Sequence, residues 1–204
     1  NLDSNEEVIG YLIKAIQSAN FSYGTDIFIS LDCAASEFFD GKNYILNATD
    51  ETFSSDGLVD YYVKLIKKFD IKSIEDPLHE DDWDGWIKLT KELNGVQIVG
   101  DDIFVTQREL LKKGIDSHAG NAILIKPNQV GTLTESLESI QLAKENKFNT
   151  IISHRSGETE DPFIADLAVG VDAKQIKTGA PSRSDRNSKY NRLLIIENEL
   201  YPKK

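Results

Sequence analysis

A single cysteine, Cys33, occurs in 204 residues. No internal disulfide can form, and such sparing use fits a reducing compartment, so the cytoplasm is the expected location. No apolar run approaches the ~18 residues of a membrane-crossing helix. Positive charge is in the minority, with 23 Lys and Arg against 34 Asp and Glu, for a formal charge of -11. That balance argues against a nucleic-acid partner held by its phosphate backbone, although a small anion can still be bound where local fields oppose the global charge. No tract rich in Pro, Gly or Ser marks a linker, and there is no low-complexity segment or signal-peptide pattern. The chain opens on Asn1 rather than methionine. It reads as a piece of a longer polypeptide, forming one domain with a sizeable core or part of a larger one.

What is present is a rhythm. Six short apolar runs each end in charge: IFISLD (27–32), IKSIE (71–75), VQIVGD (96–101), AILIK (122–126), TIISHR (150–155) and KQIK (174–177). The charged ends fall at 32, 75, 101, 126, 154 and 177, at intervals of 43, 26, 25, 28 and 23 residues. A βα unit takes roughly 25–40 residues, so this spacing predicts parallel strands with a helix between each pair. A helix over residues 4–20 precedes them, opened by Ser4 with Glu7 three residues on, a capping box. Further helices are expected over 58–69, 83–93, 107–115, 133–146, 162–171 and 185–200, one after each strand. Residues 33–55 form a long irregular excursion with a turn at Asp40-Gly41 and a short strand at 43–46. The expected class is α/β with a single layer system of parallel strands.

In a barrel of such units the strand C-terminal ends converge on one rim, where the active site lies. Asp32, Glu75 and Asp101 come from three successive ends. Carboxylates gathered together repel, so they call for a cation, and hard oxygen donors suit Mg²⁺. The plainer reading is that each acid caps the helix that follows it. Lys126 ends a buried strand, where lost solvation and nearby cations favour its neutral, proton-accepting form; the plainer reading is a partner for one of the acids. His154, Arg155, Ser156 and Gly157 cluster donors suited to a phosphate or carboxylate. Lys177 adds a cation from the last strand. Cys33 reads as a small buried side chain, and His79 and His118 as loop residues.

These residues in this order resemble enolase. The segments SLDCAASEF (30–38), SIEDP (73–77), VGDDIFVT (99–106), ILIKPNQVGTLT (123–134), SHRSGETED (153–161) and QIKTGAP (175–181) all look like enolase motifs, and Lys189-Tyr190-Asn191 continues the match. The forms VGDD and IKPNQ look closer to bacterial enolases. The resemblance implies a TIM-like barrel of the enolase type, present over residues 1–204 as a partial barrel with six βα units. It implies a lyase that dehydrates 2-phosphoglycerate to phosphoenolpyruvate in glycolysis. Asp32, Glu75 and Asp101 would hold Mg²⁺; Lys126 would remove the proton beside the substrate carboxylate. Arg155 and Ser156 would bind phosphate, with His154 and Gly157 beside them, and Lys177 would face the carboxylate. A Lys base working with Mg²⁺ is the general pattern of the enolase superfamily.

Gln107 departs from the family's usual Asn, and Ser117-His118 interrupts the following connection. The resemblance also implies parts not found in this sequence: an N-terminal domain with a mobile lid, two barrel strands, and the glutamate general acid. The 204 residues alone are therefore expected to be inactive, while the full-length protein is expected to be a cytoplasmic homodimer, with family members also reported at the cell surface. The alternative is a non-catalytic fragment or partner-binding module of enolase origin. The terminal Lys203-Lys204 reads as a solvated end.

Overall fold

The computed structural model describes residues 2–202, so Asn1 and the Lys203-Lys204 tail lie outside the described residues. The chain divides into two compact units, one made of Asn1–Ile103 with Asp116–Asn121 and the other of Phe104–Ile115 with Ala122–Lys204.

The first unit opens with helix α1 (Asn5–Ser18). Ser4 caps it by accepting the Glu7 amide at 3.2 Å, while the Glu7 carboxylate takes the amide of Asp3 at 2.8 Å. The expected capping box thus closes one residue further out than a reciprocal Ser4–Glu7 pair. Strand β1 (Ser30–Asp32) is shorter than the apolar run 27–32. A turn takes up the preceding residues: the Ser22 amide donates to Asp26 Oδ2 at 2.7 Å, and Gly24 donates to the Ile27 carbonyl at 2.9 Å.

The irregular excursion holds a 3₁₀ turn, Ala35–Phe38, and a hairpin of β2 (Tyr44–Leu46) and β3 (Glu51–Phe53). Then come α2 (Ser55–Phe69), β4 (Ser73–Glu75), α3 (Trp83–Glu92) and β5 (Gln97–Gly100). Strand β4 pairs in parallel with β1 and with β5, setting Asp32 opposite Glu75 and Glu75 opposite Val99. Leu58, Val59, Tyr62, Leu65 and Ile66 form the buried stripe of α2, at the spacing of one helical face. Trp86 and Leu89 of α3 are fully buried in the same unit.

The second unit contains most of α4 (Arg108–Ser117), then β6 (Ala122–Ile125), the one-turn helix α5 (Pro127–Val130), α6 (Leu133–Glu145) and β7 (Asn149–Ser153). Helix α7 (Phe163–Gly170), β8 (Gln175–Lys177) and α8 (Ser184–Leu200) follow. Strand β7 pairs in parallel with β6 and with β8, with Ser153 opposite Lys177. All four residues of β6 are buried. Parallel strands covered on both faces read as continuous apolar runs rather than alternating ones. Ile123, Leu124 and Ile125 each contribute roughly 1.5–3 kcal/mol on burial. Helix α5 was not anticipated. Pro127 presets its first turn, and Gly131 at φ +92° ends it.

Each of the six expected strands is present, parallel to its neighbours within its unit and followed by a helix. Asp32, Glu75 and Lys177 are the last residues of their strands, whereas Asp101, Lys126 and His154 are the first residues beyond theirs.

Candidate active site

In the first unit, Asp32 is exposed while Glu75 and Asp101 are buried. The parallel register sets Asp32 and Glu75 side by side on adjacent strand ends. Helix capping does not explain these two acids, because Ser54 caps α2 and Asp82 caps α3. Asp76, Asp101 and Asp102 offer carboxylate oxygens that all lie within 4.8 Å of one another. Asp101 belongs to the sequence-predicted triad; Asp76 and Asp102 do not, although the doubled acids of SIEDP and VGDD were the available signal.

Asp76 is 5% exposed and holds a left-handed φ of +42°. Its two carboxylate oxygens accept the backbone amides of Asp101 at 2.8 Å and Asp102 at 3.0 Å. Burial pushes its carboxyl up to about 7; the two amides pull it down, and the charges of Asp101 and Asp102 push it up further. Hard carboxylate oxygens suit a divalent cation such as Mg²⁺; this cluster takes in Asp101 of the sequence-predicted triad but not Asp32 or Glu75, which are set side by side by strand register.

Cys33, the first residue beyond β1, is half-buried as a whole residue, while its thiol is the part governed by burial. His79 and His118 both lie in loops, as expected.

In the second unit, Lys126 is half-buried and occupies the position before α5 without a side-chain cap bond. Its backbone amide donates to Thr106 Oγ1 at 2.9 Å, and that hydroxyl donates to Gln129 Oε1 at 2.7 Å. Thr106 is fully buried, and its carbonyl accepts the Ser139 hydroxyl at 2.6 Å. Thr106 and Val105, both β-branched, have φ of +60° and +42°. Such strain persists only where surrounding bonds over-determine it. Thr106 therefore fixes the backbone at Lys126.

His154 and Arg155 follow β7, and the His154 amide donates to the Lys177 carbonyl at 2.9 Å, placing Lys177 alongside. Arg155 donates from Nη1 to Asn128 Oδ1 at 2.9 Å. Ser156 and Gly157 are exposed. A cavity of about 360 Å³ is lined by Asn128, Arg155, Ser156, Gly157 and Glu158, among others. His154 Nδ1 lies 2.5 Å from Nη1 of Arg186. A guanidinium can only donate, so this ring nitrogen accepts and the imidazole is neutral. Its pKa is held below the ordinary value by burial first, then by the charges of Arg186 and Lys177. Thr106, Asn128 and Arg186 were missed from sequence, since each acts through hydrogen bonds to residues distant along the chain.

Parallel strands alternating with helices, with charged side chains at the strand C-terminal ends, mark an α/β protein, the class to which βα-barrels belong. The model of the family "Enolase, C-terminal TIM barrel domain" matches residues 1–203, and the chain belongs to that family. It is also similar to the enolase of Natranaerobius thermophilus, at 50% identity over 202 residues. That match covers 98% of this chain and 47% of the relative, so the chain spans about half the length of the curated relative it matches.

Proposed function

We propose that the chain is the barrel portion of a Mg²⁺-dependent phosphopyruvate hydratase, which dehydrates 2-phosphoglycerate to phosphoenolpyruvate. The observation that carries this reading is the enolase match running from residue 1 to 203, across every residue assigned as ligand, base or clamp. In this reading Asp32, Glu75 and Asp101 would hold Mg²⁺, which when bound would supply positive charge against the negative charge that develops on the substrate. Lys126 takes the proton from the carbon next to the substrate carboxylate. That proton is weakly acidic because the carboxylate is already anionic, so a base held in place by Thr106 has to act where the developing charge is met. Arg155 and Ser156 bind the phosphate, His154 and Gly157 stand beside them, and Lys177 faces the carboxylate. The complete protein is a cytoplasmic homodimer acting in glycolysis.

The test is the complete gene product supplied with 2-phosphoglycerate and Mg²⁺, with phosphoenolpyruvate followed by its ultraviolet absorbance. Formation that stops on adding a chelator is the expected result. No formation under these conditions overturns the reading and favours a non-catalytic, partner-binding role. A polypeptide limited to these 204 residues is expected to form none.

A further inference from the structure

We propose that Arg186, assisted by Lys189, is a positioning residue that holds the loop of residues 154–159 in shape for an anionic phosphate group. This rests on the reading of Arg155 and Ser156 as the phosphate site.

The first turns of α8 carry three ionisable residues, Asp185, Arg186 and Lys189, that are only 7%, 8% and 1% exposed. Charged side chains are almost never this buried unless they are paired. Arg186 directs its guanidinium at three consecutive residues of the loop. Nη1 lies 2.5 Å from His154 Nδ1 and donates to the Arg155 carbonyl at 2.9 Å, and Nη2 donates to the Ser156 carbonyl at 3.2 Å. Lys189 donates to the Thr159 carbonyl, and to the Asp185 carbonyl at 2.7 Å. The two cations thus grip both ends of the loop. The planar fork of an arginine sets the relative directions of its donors, so three acceptors on one guanidinium fix their mutual geometry.

The fit is close. Gly179 sits at φ +86°, and a Cβ there would lie 2.9 Å from Arg186 Cδ and 3.1 Å from His154 Cε1. Asp185 stands 3.7 Å from Arg186 Nε and 3.0 Å from Arg183 Nη2, a counter-charge beside the guanidinium. The loop carbonyls that Arg186 and Lys189 engage are turned toward helix α8. The Arg155 side chain is left to reach Asn128 and the cavity beside it.

The experiment uses the complete protein with Arg186→Gln and Arg186→Lys, and three readouts. These are steady-state kinetics with 2-phosphoglycerate, inhibition by inorganic phosphate, and amide hydrogen exchange of residues 154–159. For Arg186→Gln, KM and the phosphate inhibition constant should each rise about tenfold, the size of one charge-assisted hydrogen bond, while kcat changes less. Exchange in the loop should quicken by a similar factor while exchange elsewhere holds. Arg186→Lys should recover only part of the phosphate affinity, because one ammonium cannot serve three acceptors. Unchanged loop exchange, or a fall in kcat with phosphate inhibition unaltered, overturns the proposal. Should Arg186→Gln fail to fold, Arg186→Lys carries the same measurements. A wild-type protein silent toward 2-phosphoglycerate would defeat the functional reading alone, and loop exchange in the variants would still decide this one.

Discussion

One oxygen of the Asp76 carboxylate accepts the backbone amide of Asp101 at 2.8 Å. Its other oxygen accepts the amide of Asp102, so the carboxylate clamps the chain where β5 ends. A proposed metal ligand, Asp101, is therefore held through its backbone by a residue from the neighbouring strand end. Partners of this kind orient ligands, and their loss typically weakens metal binding by about 10–100-fold.

Asp76→Asn keeps the shape but turns one acceptor into a donor facing an amide. Calorimetric titration of the complete protein with Mg²⁺ should show binding weakened by about tenfold or more. Asp102→Asn makes the same change of charge without touching the clamp, so its effect should be smaller. Equal effects from the two variants would reduce Asp76 to a charge and remove it from the positioning role.

The backbone amide of Lys126 is held by the Thr106 hydroxyl. If it is the base, Lys126→Ala in the complete protein should slow proton exchange at the substrate carbon by about a thousandfold, within the range of general-base contributions. Mg²⁺ binding should survive, since the proposed ligands lie on other strands. Exchange measured by deuterium incorporation from heavy water decides it; retained exchange means another group takes the proton.

The strand–helix rhythm was legible because residues such as Ile123, Leu124 and Ile125 are buried on both faces of their strand and so form an unbroken apolar run. Charge ending such a run marks the strand end, which is how Asp32, Glu75, Lys126 and Lys177 came into view. Strand β3 was not legible, because Glu51 and Thr52 are exposed and carry no apolar alternation. Asp76, Thr106 and Arg186 escaped for a different reason. They act on backbone groups brought near by folding, and neither periodicity nor local spacing records which amide a distant carboxylate or hydroxyl will meet. The glycine at 179 likewise gives no hint in sequence that its missing Cβ makes room for Arg186 and His154.

Cys33 offers a test of the first unit alone. Its thiol is pushed up to about 12, first by burial, with a Tyr62 hydrogen bond pulling it down and Asp32, Asp76 and Glu75 adding to the rise. The thiolate is the reactive form. Mildly above neutral pH, alkylation by iodoacetamide should run on the order of a thousandfold slower in the folded protein than in denatured chain, following the thiolate fractions. Comparable rates in the two states would show the thiol to be open and ordinarily acidic.

His154 should leave a mark on stability against pH. Its folded pKa lies below the ordinary 6.5, from burial first and then Arg186 and Lys177, with Glu158 and the Thr178 backbone opposing. Below pH 6.5 the unfolded chain takes up a proton that the folded ring resists, so acidification favours unfolding. The contribution of His154 is therefore fully present above 6.5 and is lost as pH falls toward the folded value. Asp76 has the opposite sign: its pKa is raised from 3.8 to about 7, so its contribution is present at low pH and fades as pH rises through about 7. A raw profile mixes the two, and the His154→Gln variant separates them. A glutamine can accept from Arg186 through its side-chain oxygen but does not titrate. The stability difference between wild type and His154→Gln, from denaturant midpoints, should be constant above pH 6.5 and shift against the wild type below it. A difference that stays flat across that window would mean the ring can keep its proton beside Arg186, and that the 2.5 Å contact is not the acceptor bond its geometry indicates.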